Sequence, residues 1–372
     1  MKGSGYQYNL SHRRILFKET GKSPMEFRTY LIRRLLLLIP VLIGVTFLIF
    51  MLLQFFSPAQ RAMLYIHSPQ QMRNLDLIIA KYGFNQPIWK QYWTWLVQIF
   101  HGNLGWSTVV GMPVTKAFAS FLPATLELAI FATPLIIFTG IFLGTKAAAN
   151  KDKLIDHITR IAAIVGWSLP TFWLGLLLLM VFYGFFSGFL PPERLGNAMD
   201  AVIHSSSFIR YTGMNTIDGI LNWKWDVTLD ALRHLVLPVI TLTVINTAFI
   251  MRLMRSSMLE TLGKGYVLTA RAKGLPESDV INKHARRNAM IPILTISGYL
   301  FASIVNGVVI TESIFDFKGL GWWAWEAAVN LDIPSLLAFA LFSAVLFVIT
   351  NLVVDLLYVR LDPRVRLGAS EQ

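Results

Sequence analysis

Few residues in this sequence could do chemistry, and none form a familiar reaction centre. Glu127, Glu312 and Asp355 stand near the ends of long apolar runs, where the cost of burying a carboxylate can mark a proton or ion relay. The plainer reading makes each an interfacial or partner-paired carboxylate, and the end positions favour it. His157, His204, His234 and His284 are scattered, without the spacing of metal ligands. The nearest approach to a phosphate-cradling loop is Gly140-Ile-Phe-Leu-Gly144-Thr-Lys146. There the glycines are too close, no lysine directly follows the second, and the segment lies in an apolar run. The chain has no cysteine, which removes disulfides, thiolate catalysis and zinc–thiolate sites. No catalytic, cofactor-binding or metal residue is therefore expected, and the chain is not expected to hydrolyse ATP.

The elements that would position such residues are membrane helices. The chain has 372 residues, of which 55% are hydrophobic and only 15% charged, against about a quarter charged in a soluble domain. Its net charge of +12 reads as cytoplasmic flanks of membrane helices, and no basic soluble face suggests nucleic acid. Apolar runs near Leu35–Leu53, 124–145, 161–187, 235–251, 289–310 and 334–358 are each long enough to span a bilayer. The first follows Arg33-Arg34 with no cleavage-site pattern, so it is expected to stay as an anchor. Ser168-Leu-Pro-Thr171 is expected to bend the third run, and Gly140 and Gly144 to let another helix approach the second.

Basic residues gather at both ends and in alternate connections, which predicts an all-α membrane protein with six spans and both termini cytoplasmic. The organisation is a basic tail over 1–29, touching membrane lipids, and a first span over 30–57. A tryptophan-bearing extracytoplasmic segment covers 58–123, where Trp93, Leu96, Val97 and Phe100 share helical spacing. A core over 124–359 carries spans two to six, with an extracytoplasmic insertion at 188–233 and a cytoplasmic loop at 256–288. A tail covers 360–372.

That loop is the densest basic stretch in the chain. Lys264 to Lys273 suits a helix, Gly274 its stop, and Pro276 the first position of a second helix with Glu277 and Asp279 at its start. The product is a helical elbow between spans four and five, on which Ala270 and Ala272 leave the backbone approachable and Arg271 and Lys273 offer charge. Pattern alone leaves two readings open: a lever gripped by another protein, or an ordinary basic loop anchoring its helices.

Here the sequence resembles the permease subunits of dipeptide and oligopeptide ATP-binding-cassette importers, and specifically the first of their two permeases. Arg255-Ser-Ser-Met-Leu-Glu260, Tyr266-Val-Leu-Thr-Ala-Arg-Ala-Lys-Gly-Leu275 and His284-Ala-Arg-Arg-Asn-Ala-Met-Ile-Pro292 carry the likeness. It runs through Gly102-Asn-Leu-Gly-Trp-Ser107, Leu122-Pro-Ala-Thr-Leu-Glu-Leu-Ala129, Ser168-Leu-Pro-Thr-Phe-Trp-Leu-Gly175 and Asp362-Pro-Arg-Val-Arg366. Where importer permeases generally begin this loop Glu-Ala-Ala, the chain has Leu268-Thr-Ala270, as is usual in the peptide branch.

The resemblance implies the type I importer permease fold in a prokaryotic plasma (inner) membrane. It implies a heterodimer with a second, similar permease, two ATPase subunits that bind ATP and magnesium, and an extracytoplasmic solute-binding protein. On this reading Thr269, Ala270, Arg271, Ala272, Lys273, Gly274 and Leu275 form the ATPase-coupling helix. His284, Arg287, Asn288 and Pro292 link it to the fifth span. The implied cargo is short peptides, with oligosaccharides or nickel as alternatives of the same architecture. An ion-coupled secondary transporter is the alternative class.

Overall fold

In the computed structural model the described residues are 27–63, 65–66, 73–186 and 188–361, so most of both basic tails, and the Asp362–Arg366 landmark, lie outside them. Among the described residues four helices are individually long and apolar enough to cross a membrane, and two bent helix pairs bring the number to six if each is one span. They are α1 (Phe27–Leu53), α5 (Val114–Ala149), α10 (Trp225–Leu262) and α16 (Ile333–Leu361), with the pairs α6–α7 (Leu154–Ser168, Thr171–Phe185) and α12–α13 (Glu277–Ala289, Ile291–Val305). Short helices α2 (Pro58–Met63), α3 (Leu75–Tyr82) and α4 (Ile88–Phe100) precede a two-stranded hairpin, β1 (Trp106–Ser107) and β2 (Met112–Pro113). Helix α4 contains the Trp93–Phe100 segment, with Trp89 and Trp93 exposed.

The bundle is built around α10, which packs along α5, α6, α7 and α13. Of its most apolar stretch 61% is buried, against 11% for α1, whose leucines and isoleucines form an exposed apolar surface. Helices α5 and α10 meet at the two glycines. A Cβ on Gly140 would stand 2.6 Å from Ile250 Cβ, and one on Gly144 would stand 2.7 Å from the Met251 carbonyl oxygen. With only hydrogen in the way the backbones close, and dispersion between them replaces the hydrophobic drive that lipid does not supply.

Two runs depart from simple spans. The third turns through 95° between α6 and α7. Leu169 precedes Pro170, and its ψ of 123° is extended, because the proline ring crowds the α conformation of the residue before it. In the fifth run α13 ends at Val305, short of the expected 310. Gly307 takes φ +94°, and a Cβ there would lie 2.5 Å from the Gly321 nitrogen. This contact ends α13 and starts α14 (Val309–Ile314) at what we call the far face, opposite the elbow. Helices α8 (Asn197–Ile203), α9 (Asn215–Leu221) and α15 (Leu320–Val329) complete that face.

Candidate functional site

The elbow forms as a helix, a left-handed stop and a second helix. Helix α11 (Gly265–Ala272) is followed by Gly274 at φ +76°, a region that only glycine enters freely. Pro276 flanks α12 from just outside, with Glu277 its first residue. Helix α12 passes through a π-helical turn at Val280–Ala285 and meets α13 at 53°. Val267, Val280, Ala285 and Ala289 are fully buried with Met254 and Met258 of α10, so the elbow is seated on the end of the central helix.

The structure sorts the sequence-derived coupling residues by direction. Thr269, Ala272, Lys273, Gly274 and Leu275 are exposed, whereas Ala270 is turned into the core at 5% exposure. Its small side chain serves packing against α10, which corrects the expectation that it leaves the backbone open to a partner. Arg271 is exposed but engaged: Nη2 donates to Glu277 Oε1 at 2.6 Å and Nε to Oε2 at 3.1 Å. The pair staples the two arms across Gly274, and the guanidinium hydrogen bonds hold the Glu277 carboxyl below its ordinary range.

Lys273 and Arg287 stay on the exposed surface, and His284 and Pro292 are half-buried near the hinge. Asn288 donates to the Tyr266 hydroxyl at 2.9 Å, a second tie between the arms. Tyr266, Leu268 and Leu275 are exposed apolar residues beside these charges. Sequence reasoning omitted Tyr266, Leu268 and Glu277 from the site. The signal for Glu277 was an opposite charge just beyond a glycine turn.

Two of the isolated carboxylates, Glu127 and Glu312, prove to be ties within the far face. Glu127 accepts Arg194 Nη2 at 2.8 Å and both the N–H and hydroxyl of Thr216, at 2.7 and 2.8 Å. Glu312 accepts the Thr125 hydroxyl and the Trp322 N–H, each at 2.8 Å. Burial raises the Glu312 carboxyl, opposed by those two donors. Thr125 and Glu127, two residues apart on α5, thus fasten two separate far-face segments. Asp332 holds the hairpin to the start of α16, accepting the hydroxyls of Ser107 at 2.6 Å and Ser335 at 2.8 Å. Asp355 is also engaged. Occupied in this way, Glu127 and Glu312 fit the partner-paired reading better than a relay. Among the described residues no three His, Cys, Asp or Glu gather as a metal site. Trp323 is fully buried against Phe118 and Phe121, which removes it as a stacking surface for sugars.

Comparison with known proteins adds a family to this geometry. Residues 136–367 match the family of binding-protein-dependent transport system inner membrane components, and residues 27–129 match the N-terminal family of such membrane components. The chain is 38% identical over 339 residues to the dipeptide transport system permease protein DppB of Alkalihalophilus pseudofirmus, covering 91% of this chain and 99% of that protein. It is 38% identical over 297 residues to the probable D,D-dipeptide transport system permease protein DdpB of Escherichia coli K12, covering 80% and 86%. It is 34% identical over 337 residues to the oligopeptide transport system permease protein AppB of Bacillus subtilis, covering 90% and 98%.

Proposed function

The chain belongs to the family of binding-protein-dependent transport system inner membrane components, the permease subunits of ATP-binding-cassette importers, and on that premise we propose that it carries short peptides and is driven through its elbow. As such a subunit it has the type I permease fold, sits in the inner membrane, works with ATPase and binding-protein partners, and is not itself the catalytic component. The peptide reading is supported by relatives named for dipeptide and oligopeptide transport, which align over most of both chains. The same likeness supports a heterodimer with a second permease and two ATPases that hold ATP and magnesium. A cytoplasmic elbow face is supported by the crowding of Lys264, Arg271, Lys273, Lys283, Arg286 and Arg287 there.

The observation that carries the coupling reading is an elbow seated directly on α10 that leaves Tyr266, Leu268 and Leu275 exposed. Exposed apolar residues ringed by charge on a water-facing turn suit a partner protein. ATP binding would close the ATPases, displace the elbows, and swing the spans between inward- and outward-facing states.

The test is reconstitution with the partner permease, ATPases and binding protein. Gly274→Pro forces φ to about −65° where +76° is required, and Leu275→Glu puts charge on an exposed apolar position of the elbow. Both variants are expected to insert and pair with the partner permease, lose ATPase binding, and lose ATP-driven uptake by at least tenfold. Normal ATPase binding and uptake by both would overturn the assignment. Ligand retention by the partnered binding protein separates peptide from sugar or nickel, and uptake with an ion gradient alone would point to the secondary-transporter class.

A further inference from the structure

One turn of α10 above the elbow makes two ties in different directions. Ser257 donates its hydroxyl to the Ala289 carbonyl at 2.9 Å, at the bend where α12 becomes α13. Two residues earlier, Arg255 grips Asp156 of α6 with both arms of its guanidinium, Nε to Oδ1 at 2.6 Å and Nη2 to Oδ2 at 2.7 Å. Asp156 is fully buried, and its Oδ2 also accepts the Asp152 N–H at 3.1 Å. That bond closes the turn entering α6, where Asp152 sits at φ +61°. Neither arm of the carboxylate is free to wander.

Beyond this clamp, away from the elbow, α6 lies flush on α10. Ala163 packs on Ala248 and Met251 in a small cluster of its own, and a Cβ on Gly166 would stand 3.1 Å from the Val244 carbonyl oxygen. The outer side of α6 shows Ile158, Ile161 and Ile164 to lipid. After the 95° bend, α7 reaches the far face, where a Cβ on Gly175 would stand 3.3 Å from Ile314 and 3.4 Å from Phe315 of the segment tied by Glu312. A continuous path of packed helices therefore runs from the elbow through α10 and α6 to the far-face ties.

We propose that Asp156 and Arg255 form a permanent joint that makes α6 and α10 move as one body, passing the elbow's displacement into the α6–α7 pair. The proposal rests on the coupling reading of the elbow, and Asp156 and Arg255 act as positioning residues. A bidentate pair on a fully buried carboxylate has the geometry to hold a helix without slack, which a single-point contact lacks. The closely packed alanines and glycine leave little room for sliding between discrete states.

The chain's lack of cysteine allows a direct test. Spin labels at Ile158→Cys and Ser256→Cys, both on exposed positions, report the α6–α10 distance in the complete importer, without nucleotide and with ATP trapped. The expected result is one narrow distance distribution, unchanged between the two states. In Asp156→Asn the distribution is expected to broaden at least twofold and to shift on ATP binding, with basal ATP hydrolysis per complex within twofold of the parent. Arg255→Lys keeps the charge but loses the planar fork, and gives an intermediate width should the Asn variant fail to assemble. A parent distance that changes on ATP binding overturns the proposal, as does an Asp156→Asn or Arg255→Lys distance as narrow and fixed as the parent's. Leu275→Glu measured alongside keeps the failures apart: ATPase binding by that variant counts against the elbow reading, while the parent distances decide the joint.

Discussion

The glycine contact between α5 and α10 gives the most quantitative prediction. Gly144→Ala adds one Cβ at 2.7 Å from the Met251 carbonyl oxygen and from Met254 Cβ. Ordinary contact begins at 3.4 Å, so one backbone must retreat by roughly 0.7 Å. Overpacking of this kind costs about 1–3 kcal/mol. Replacing a mid-helix glycine by alanine returns about 0.5–1 kcal/mol of backbone entropy. The net is a destabilisation of about 0–2.5 kcal/mol.

Gly44 in α1 supplies the control, since a Cβ there meets nothing within 4 Å. Gly44→Ala should stabilise by about 0.5–1 kcal/mol. Gly298→Ala should destabilise as well, because the nearest atom, Val354 Cγ2 at 2.5 Å, belongs to a buried β-branched side chain that is stiff at χ1. Unfolding of the purified chain in mixed micelles, titrated with sodium dodecyl sulfate, reads all three. If Gly144→Ala and Gly44→Ala shift the midpoint equally and in the same direction, the close approach of α5 to α10 is wrong.

Two further outcomes follow from the polar ties. Glu127→Ala leaves Arg194 without its carboxylate and Thr216 without its acceptor, and should cost about 3 kcal/mol, as for breaking a buried pair. Thr216→Val keeps the N–H bond and should cost only about 1 kcal/mol; equal losses in the same titration would contradict the arrangement. For the elbow staple, the Glu277 carboxyl is held below its ordinary value of 4.5. The stabilisation it lends is complete above that pH and is lost as pH falls through the lowered folded value. A spin label at Ser278→Cys should therefore gain mobility only on acidification, whereas with Glu277→Gln it should be mobile at pH 7 without an acid transition. An identical acid transition in both chains would remove the staple.

What the sequence disclosed and what it hid divide along the range of the interaction. Long apolar runs, the stop at Gly274 and the small faces of Gly140 and Gly144 are local signals, each with a direct physical meaning in lipid or in a turn. The break at Asn306-Gly307 was a local signal too, hidden by the apolar run around it. The sharpness of the Leu169-Pro170 turn was not legible, because Pro134 and Pro238 sit within unbroken helices. Glu127 and Glu312 looked solitary because their partners are distant: Thr216 lies 89 positions from Glu127, and Thr125 lies 187 positions from Glu312. Arg271 looked available for the converse reason, its partner being near but across a turn. Trp323 lies in a short stretch between the fifth and sixth apolar runs, and only folding buries it.

The flush seam between α5 and α10 also sets a clock on the chain's birth. Ile250 follows Gly140 by 110 positions, and ribosomes add about 5–20 residues per second. For roughly 5–20 s, then, the glycine face of α5 waits in the bilayer with its mate still unmade. During that interval any small-faced helix nearby can claim the same groove. Slowed synthesis between the two helices lengthens the exposure, so mispairing should rise with the delay even though the finished protein is unchanged.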